Sequence, residues 1–228
     1  MQGMIDGVIF DLDGVIIDSE PLWKISEKKV FKTVGIELTT DMCNQTTGLD
    51  NMSTVRRWYA YKPWKNKSLE QVAAEILDEV TMLLHQKGEA KEGVERILNF
   101  FNDLKIPLAV ASSSEMKIIQ TALEKIKFKD KFAAIHSSEY EEFGKPHPAV
   151  YISTARLLNT NPEHCLAFED SFYGALAAKS ARMKVVAVLD RKDYLSSRFD
   201  FTDLKIEKLD SFGINQFENL NKGIKNTF

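Results

Sequence analysis

Apolar residues along the chain follow two rhythms. Short runs rich in Val, Ile, Leu, Ala and Phe, without clean polar alternation, occur at residues 8–10, 107–111, 133–136, 165–168 and 185–189. Runs of this kind predict strands buried on both faces. Between them, residues 93–104, 116–126, 149–158 and 174–181 carry apolar positions at helical spacing. Strand alternating with helix predicts an α/β fold, a Rossmann-like core around a parallel sheet.

One region breaks the alternation. Between about residues 20 and 86 the pattern holds no strand and predicts three helices, at 22–34, 52–61 and 69–84, with "YKPWKNKS" and its Pro63 separating the last two. A helical insert directly after the first strand lies beside that strand's C-terminal end, where open α/β sheets bind ligands. The expected organisation is a core of residues 1–18 and 89–228 and a helical cap of residues 19–88. The alternative is that the helices only pack on the core. Hinges are expected near 17–19 and 88–92. The polar segment from Asn215 onward is expected to fray. Met4 is a second candidate start, so residues 1–3 are read as an addition.

Composition narrows the class. The chain has 228 residues, 44% hydrophobic and 28% charged, with a formal net charge of −3. That balance suits a soluble globular protein, and nothing in it suggests a nucleic-acid groove or a basic membrane face. No apolar stretch approaches the roughly 20 residues of a membrane span, and no signal peptide is evident. The two cysteines, Cys43 and Cys165, share no metal-binding spacing and read as inert, which fits a reducing cytoplasm. His85, His136 and His164 lack a partner at ligand spacing and read as structural or surface residues. A monomer is expected.

Four strand ends carry the chemistry. After residues 8–10 come Asp11 and Asp13, followed by Gly14. In an extended segment residues i and i+2 point the same way, so both carboxylates face one ligand, and a hard cation such as Mg²⁺ would relieve their repulsion. The run ending at residue 111 is followed by Ser112, Ser113 and Ser114 before a helical pattern, a source of hydroxyl and backbone donors for an anion. Lys145 precedes Pro146 in "GKPHP". A lysine about 4 Å from a phosphate oxygen contributes ~4 kcal/mol at an effective dielectric of 20. His147 reads as a helix-start residue. The run at 165–168 ends in a second acid pair, Glu169 and Asp170, with Gly174 beyond it. Each feature alone also fits a plainer reading: a turn, an N-cap, a solvated lysine, a capped helix. In a parallel sheet, however, the four ends converge on one edge. Acids for a metal, donors for an anion and a lysine describe a phosphoryl-transfer site.

These four motifs, Asp11-Leu12-Asp13-Gly14, Ser112, Lys145-Pro146 and Glu169-Asp170, resemble those of the haloacid dehalogenase-like hydrolases in order and spacing, over roughly residues 4–212. The resemblance implies Asp11 as a nucleophile that forms an aspartyl-phosphate and Asp13 as the acid/base. Mg²⁺ would be held by Asp11, the backbone carbonyl of Asp13 and Asp170, with Glu169 acting directly or through water. Ser112, Ser113 and Lys145 would bind phosphate. Asp13 sets the chain apart from the dehalogenases proper, which lack that acid.

Within the family the chain resembles the β-phosphoglucomutase-like branch, and most of all bacterial 2-deoxyglucose-6-phosphate and hexitol phosphatases. The implied activity is Mg²⁺-dependent hydrolysis of a small phosphorylated sugar or sugar alcohol; the alternative is a phosphosugar mutase. Against the mutase, Asn51 stands where mutases carry an arginine three residues after the cap-loop glycine, here Gly48, and Trp23 stands near a missing histidine. Arg56 or Arg57 remains available to compensate. Glu20, Trp23, Gly48 and Asn51 are the candidate substrate contacts. Trp23, Trp58, Tyr59 and Trp64 are either pocket walls or core of the helical block.

Overall fold

The computed structural model describes residues 4–224. Residues 1–3, read above as an addition, and residues 225–228 lie outside the described residues. The chain runs β1 (Gly7–Phe10), α1 (Glu20–Thr33), α2 (Thr40–Cys43), α3 (Asn51–Tyr61), α4 (Leu69–Lys87), α5 (Val94–Asp103), β2 (Leu108–Ser112) and α6 (Met116–Lys125). It continues through β3 (Ala134–Ser137), α7 (Ala149–Leu157), β4 (Cys165–Glu169), α8 (Phe172–Ser180), β5 (Lys184–Val188), α9 (Arg191–Tyr194), β6 (Leu204–Ile206) and α10 (Ile214–Ile224).

The strands form one six-stranded sheet in the order β3-β2-β1-β4-β5-β6, and every pairing is parallel. β1 sits where the strand order reverses, the crevice-forming position of a doubly wound sheet. Phe10 is in register with Val110 on one side and Phe168 on the other. Asp11, Ala111 and Glu169 therefore leave the sheet at the same level.

Alternation along the strands sorts side chains by size. On one face Phe10 stacks on Phe168 at 4.9 Å, and Phe101 of α5 meets both edge-on. On the other, Ile9, Ala109, Ala111 and Ala167 pack with Val150 and Tyr151 of α7 and with Ala175 and Ala178 of α8. Small strand residues let those two helices approach closely, which carries Tyr151 and Gly174 to the catalytic edge. Each fully buried Phe contributes roughly 2–3 kcal/mol of apolar transfer free energy.

Between β1 and β2 the described residues 20–87 are helical without a strand, as the pattern predicts. α4 packs against α1, α3 and α6, and it begins with a reciprocal capping box of Ser68 and Gln71. Trp58 and Trp64 are buried in this block's core and Tyr59 is exposed.

The structure corrects some of the expected elements. β6 and the short helices α2 and α9 are too brief for periodicity to reveal. The segment from Asn215 is helical rather than frayed as far as Ile224, because Leu220 is buried and Phe217 is buried against Phe100 and Phe101. α8 begins two residues earlier than its pattern, since Ser171 caps it by accepting from the Gly174 amide at 3.0 Å. No helix among the described residues is long and apolar enough to cross a membrane.

Candidate active site

The β1 ladder continues one residue past the strand, where the Asp11 amide donates to the Phe168 carbonyl at 2.9 Å. The chain then turns back, with the amides of Ile16 and Ile17 both donating to the Leu12 carbonyl. Gly14 makes this turn at φ +78°, and a Cβ there would fall 1.8 Å from Asp170 Oδ2. Glycine is required twice over, by the left-handed backbone and by contact with the acid that β4 delivers.

Beneath the turn lies a buried charge network. Lys145 Nζ donates to Asp11 Oδ1 at 2.8 Å, to Glu169 Oε1 at 2.6 Å and to the Ala111 carbonyl at 3.2 Å. Glu169 also accepts from the Tyr151 hydroxyl on Oε1 and from the Ser171 amide and hydroxyl on Oε2. Gly174 leaves room for it, since a Cβ there would lie 1.9 Å from Oε1. Burial alone would lower the Lys145 ammonium's pKa, but the charges of Asp11 and Glu169 override it and hold the lysine protonated.

The acids behave in the opposite way. Burial, reinforced by Glu169, pushes Asp11 up to about 8 despite Lys145. Burial, followed by the charges of Asp11 and Glu169, also raises Asp170. Oxygens of Asp11, Glu169 and Asp170 all lie within 4.8 Å of one another. Three clustered carboxylates facing one lysine leave uncompensated negative charge, and an all-oxygen donor set of that kind suits a hard divalent cation.

Asp13 has different partners. Its Oδ1 accepts from the Ser19 hydroxyl and from Trp23 Nε1 at 2.9 Å, while Oδ2 accepts from Ser114 Oγ at 2.7 Å and approaches Ser112 Oγ at 3.4 Å. Ser19 occupies the N-cap position of α1 but makes no side-chain cap bond; its hydroxyl is directed to Asp13. Ser113 Oγ donates to the Gly48 carbonyl at 3.0 Å. Gly48 sits at φ +86°, and a Cβ there would meet Ser171 Oγ at 2.5 Å. The loop before α3 is thereby pressed against the ends of β2 and β4.

These groups open onto a cavity of about 80 Å³. Asp11, Asp13, Asp170, Ser112 and Ser113 line it together with Glu20, Trp23, Gly48 and Asn51. Lys145 and Glu169 are buried below it and do not reach its wall. Of the four candidate wall aromatics only Trp23 lines the cavity, while Trp58, Tyr59 and Trp64 do not. Asn51 is buried, with its amide donating to the Ala73 carbonyl at 2.9 Å. Arg56 and Arg57 are exposed and do not line the cavity. His136 pairs with Glu141 at 2.7 Å, and His147 accepts from the Ala149 amide at the start of α7.

Sequence reasoning missed Ser19, Tyr151 and Glu27, and read Ser114 as an anion donor rather than as a partner of Asp13. The spacing Glu20, Trp23, Lys24, Glu27 marks one helix face. Tyr151 had no local signal, because only the packing of α7 on β1, β2 and β3 brings it to Glu169.

A doubly wound sheet with acids, hydroxyls and a buried lysine at its reversal point defines a hydrolase of the phosphoryl-transfer type. Residues 8–188 match the haloacid dehalogenase-like hydrolase family, and the chain belongs to that family. It is 32% identical over 202 residues to hexitol phosphatase B of Escherichia coli (strain K12), covering 88% of this chain and 91% of that one. It is 29% identical over 177 residues to a phosphorylated carbohydrates phosphatase of Thermotoga maritima, covering 78% and 82%. Its fold matches a β-phosphoglucomutase crystal structure from Clostridium difficile with a TM-score of 0.85 at 23% identity, covering 96% and 98%. The chain is an enzyme, and the phosphoric monoester hydrolase expected from its motifs agrees with its named relatives.

Proposed function

We propose that the chain is a Mg²⁺-dependent phosphatase of small phosphorylated sugars or sugar alcohols, working through an aspartyl-phosphate on Asp11. Residues 1–18 and 89–228 form its catalytic core, and residues 19–88 form a cap that selects the substrate. The observation that carries this reading is the sharing of one cavity by Asp11, Asp13, Ser112 and Asp170, beneath a wall supplied by the helical block.

Asp11 attacks the phosphorus, forming a carboxylate O–P bond as the P–O bond to the sugar breaks. Asp13 gives its proton to the departing sugar oxygen. It then takes a proton from the water that cleaves the aspartyl-phosphate. Ser19 and Trp23 at the start of α1 and Ser114 just after β2 orient the carboxyl, and Ser112 at the end of β2, at 3.4 Å, leaves room on Oδ2 for the proton. Ser112 and Ser113, on the cavity wall, hold the phosphoryl oxygens, which requires Ser113 to share its hydroxyl with Gly48; Lys145, buried below that wall, reaches a phosphoryl oxygen only if its ammonium turns past Asp11. A bound Mg²⁺ would supply positive charge to offset that of the phosphoryl group and the carboxylates. Asp11, the Asp13 carbonyl and Asp170 are the ligands we assign to it. Glu169 already accepts four hydrogen bonds, so its part is to aim Lys145, and it would support a bound cation by its charge.

The mutase alternative is not favoured. A bisphosphate requires a second cationic grip. Asn51 replaces the arginine expected there and its amide is engaged by Ala73, while Arg56 and Arg57 face solvent. The test is phosphate release with Mg²⁺ from a panel of hexose, deoxyhexose and hexitol phosphates, with Asp11→Asn as control. Release from at least one of them that Asp11→Asn abolishes supports the proposal. Interconversion of phosphosugars without net phosphate release would replace it with the mutase.

A further inference from the structure

α1 turns Glu20, Trp23, Lys24 and Glu27 toward the cavity, the i, i+3, i+4, i+7 spacing of a single helix face. Three of them are partnered. Glu20 and Lys24 pair at 3.0 Å, and Trp23 holds Asp13. Glu27 has only the Cys43 thiol beside it, and its Oε2 is buried without any hydrogen-bond partner. Cys43 also lines the cavity and faces the same carboxyl, but its thiol, pushed up to about 12 by burial and then by the Glu27 charge, stays protonated and offers only a weak donor.

A buried acceptor left bare destabilises a protein. It becomes useful where a ligand supplies the missing donor. Ser19 and Trp23, at the start of α1, both bind Asp13. Glu27 lies one further turn along, about 6 Å beyond Trp23 by helical rise, a span that a short carbon chain bridges. Lys24 is the one cation on the cavity wall among the described residues, and it is engaged by Glu20. The far wall is therefore acidic and hydrogen-bond accepting. It repels a second phosphate and suits neutral hydroxyl groups.

We propose that Glu27 is a specificity-determining residue, accepting a hydrogen bond from a hydroxyl on the substrate's carbon chain remote from the phosphorylated carbon. This rests on the sugar-phosphatase reading above. Glu27 takes no part in bond making; it rewards a polyhydroxylated chain that reaches past Trp23.

The experiment compares wild type, Glu27→Gln and Glu27→Leu on a hexitol 6-phosphate and on p-nitrophenyl phosphate, which has no hydroxyl chain. Glu27→Leu is expected to lose at least about tenfold more kcat/KM on the hexitol phosphate than on p-nitrophenyl phosphate, chiefly through KM. Glu27→Gln, which keeps one acceptor oxygen, should fall between Leu and wild type. Equal losses on both substrates, or a loss confined to kcat, would overturn the proposal in favour of a structural role. Retained discrimination in Glu27→Leu would overturn it outright. A wild-type protein that releases phosphate from neither substrate would overturn the phosphatase reading itself, a result separate from any effect of Glu27.

Discussion

Trp23 Nε1 and Asp13 Oδ1 lie 2.9 Å apart, so the first helix after β1 reaches back to hold the second acid of the motif. The indole is both a cavity wall and a positioning group. Trp23→Phe keeps the wall and removes the donor. A hydrogen bond to a carboxylate contributes about 1.5–3 kcal/mol, but three other donors remain, so the expected loss is near the lower limit, about tenfold in kcat. Ser19→Ala should act in the same direction. Combining the two should cost more than their sum, because Oδ1 then has no donor. Steady-state kinetics of the four proteins checks this double-mutant cycle.

Lys145 is the only cation in a buried network with Asp11 and Glu169 among the described residues. Lys145→Met leaves both carboxylates without their counter-ion. Removing one partner of such a buried pair costs roughly 3–5 kcal/mol, and removing a donor aimed at the reacting oxygens costs on the order of 10²–10³ in kcat. Urea unfolding should show the first loss and kinetics the second. A variant as stable as wild type would show that Lys145 does not balance this charge.

Gly14 and Gly35 offer a controlled comparison. Both have positive φ, +78° and +80°, but a Cβ at Gly35 meets nothing within 4 Å, whereas at Gly14 it strikes Asp170 Oδ2. Gly35→Ala should cost about 1 kcal/mol of backbone strain and no activity. Gly14→Ala should displace Asp170 as well, reducing turnover at least about 100-fold and weakening the Mg²⁺-induced rise in melting temperature. Calorimetry with and without Mg²⁺ separates the two effects.

Glu27 predicts a pH dependence of stability. Burial, only partly offset by Cys43 and Lys24 and reinforced by Glu20, raises it from 4.5 to about 7. Below pH 4.5 folded and unfolded chains both hold the proton, and the carboxyl carries no penalty. As pH rises from 4.5 through 7, the unfolded chain ionises first, so the folded state loses relative stability. The penalty is complete above pH 7 and is on the order of 3 kcal/mol. Glu27→Gln should therefore stabilise the protein at pH 8 and make little difference at pH 4. Equal melting shifts at both values would contradict this.

The sequence exposed the strands because their apolar runs are buried on both faces, and it exposed the chemistry because acid, hydroxyl and lysine motifs stand at strand ends. β6 escaped for want of length, three residues carrying no period. α10 escaped because its buried positions, Phe217 and Leu220, stand in a polar segment, and Phe217 finds its partners Phe100 and Phe101 only in the fold. The site was legible as a set of residues but not as a network. That Glu169 is saturated by Lys145, Tyr151 and Ser171, or that Ser19 turns from its helix to Asp13, depends on packing between segments far apart in sequence. Glu27 was hidden for the same reason, since an acid on an amphipathic helix looks solvated until the other wall is known.

Trapping the covalent intermediate tests the central claim most directly. Enzyme with Mg²⁺ and its preferred sugar phosphate would be quenched in acid during turnover, reduced with borohydride, digested and sequenced by mass spectrometry. The account predicts that Asp11 is recovered as homoserine, the product of reducing an aspartyl-phosphate, and that Asp13 and Asp170 are recovered unchanged. Robust phosphate release with Asp11 left intact, or homoserine at Asp13 instead, would contradict it.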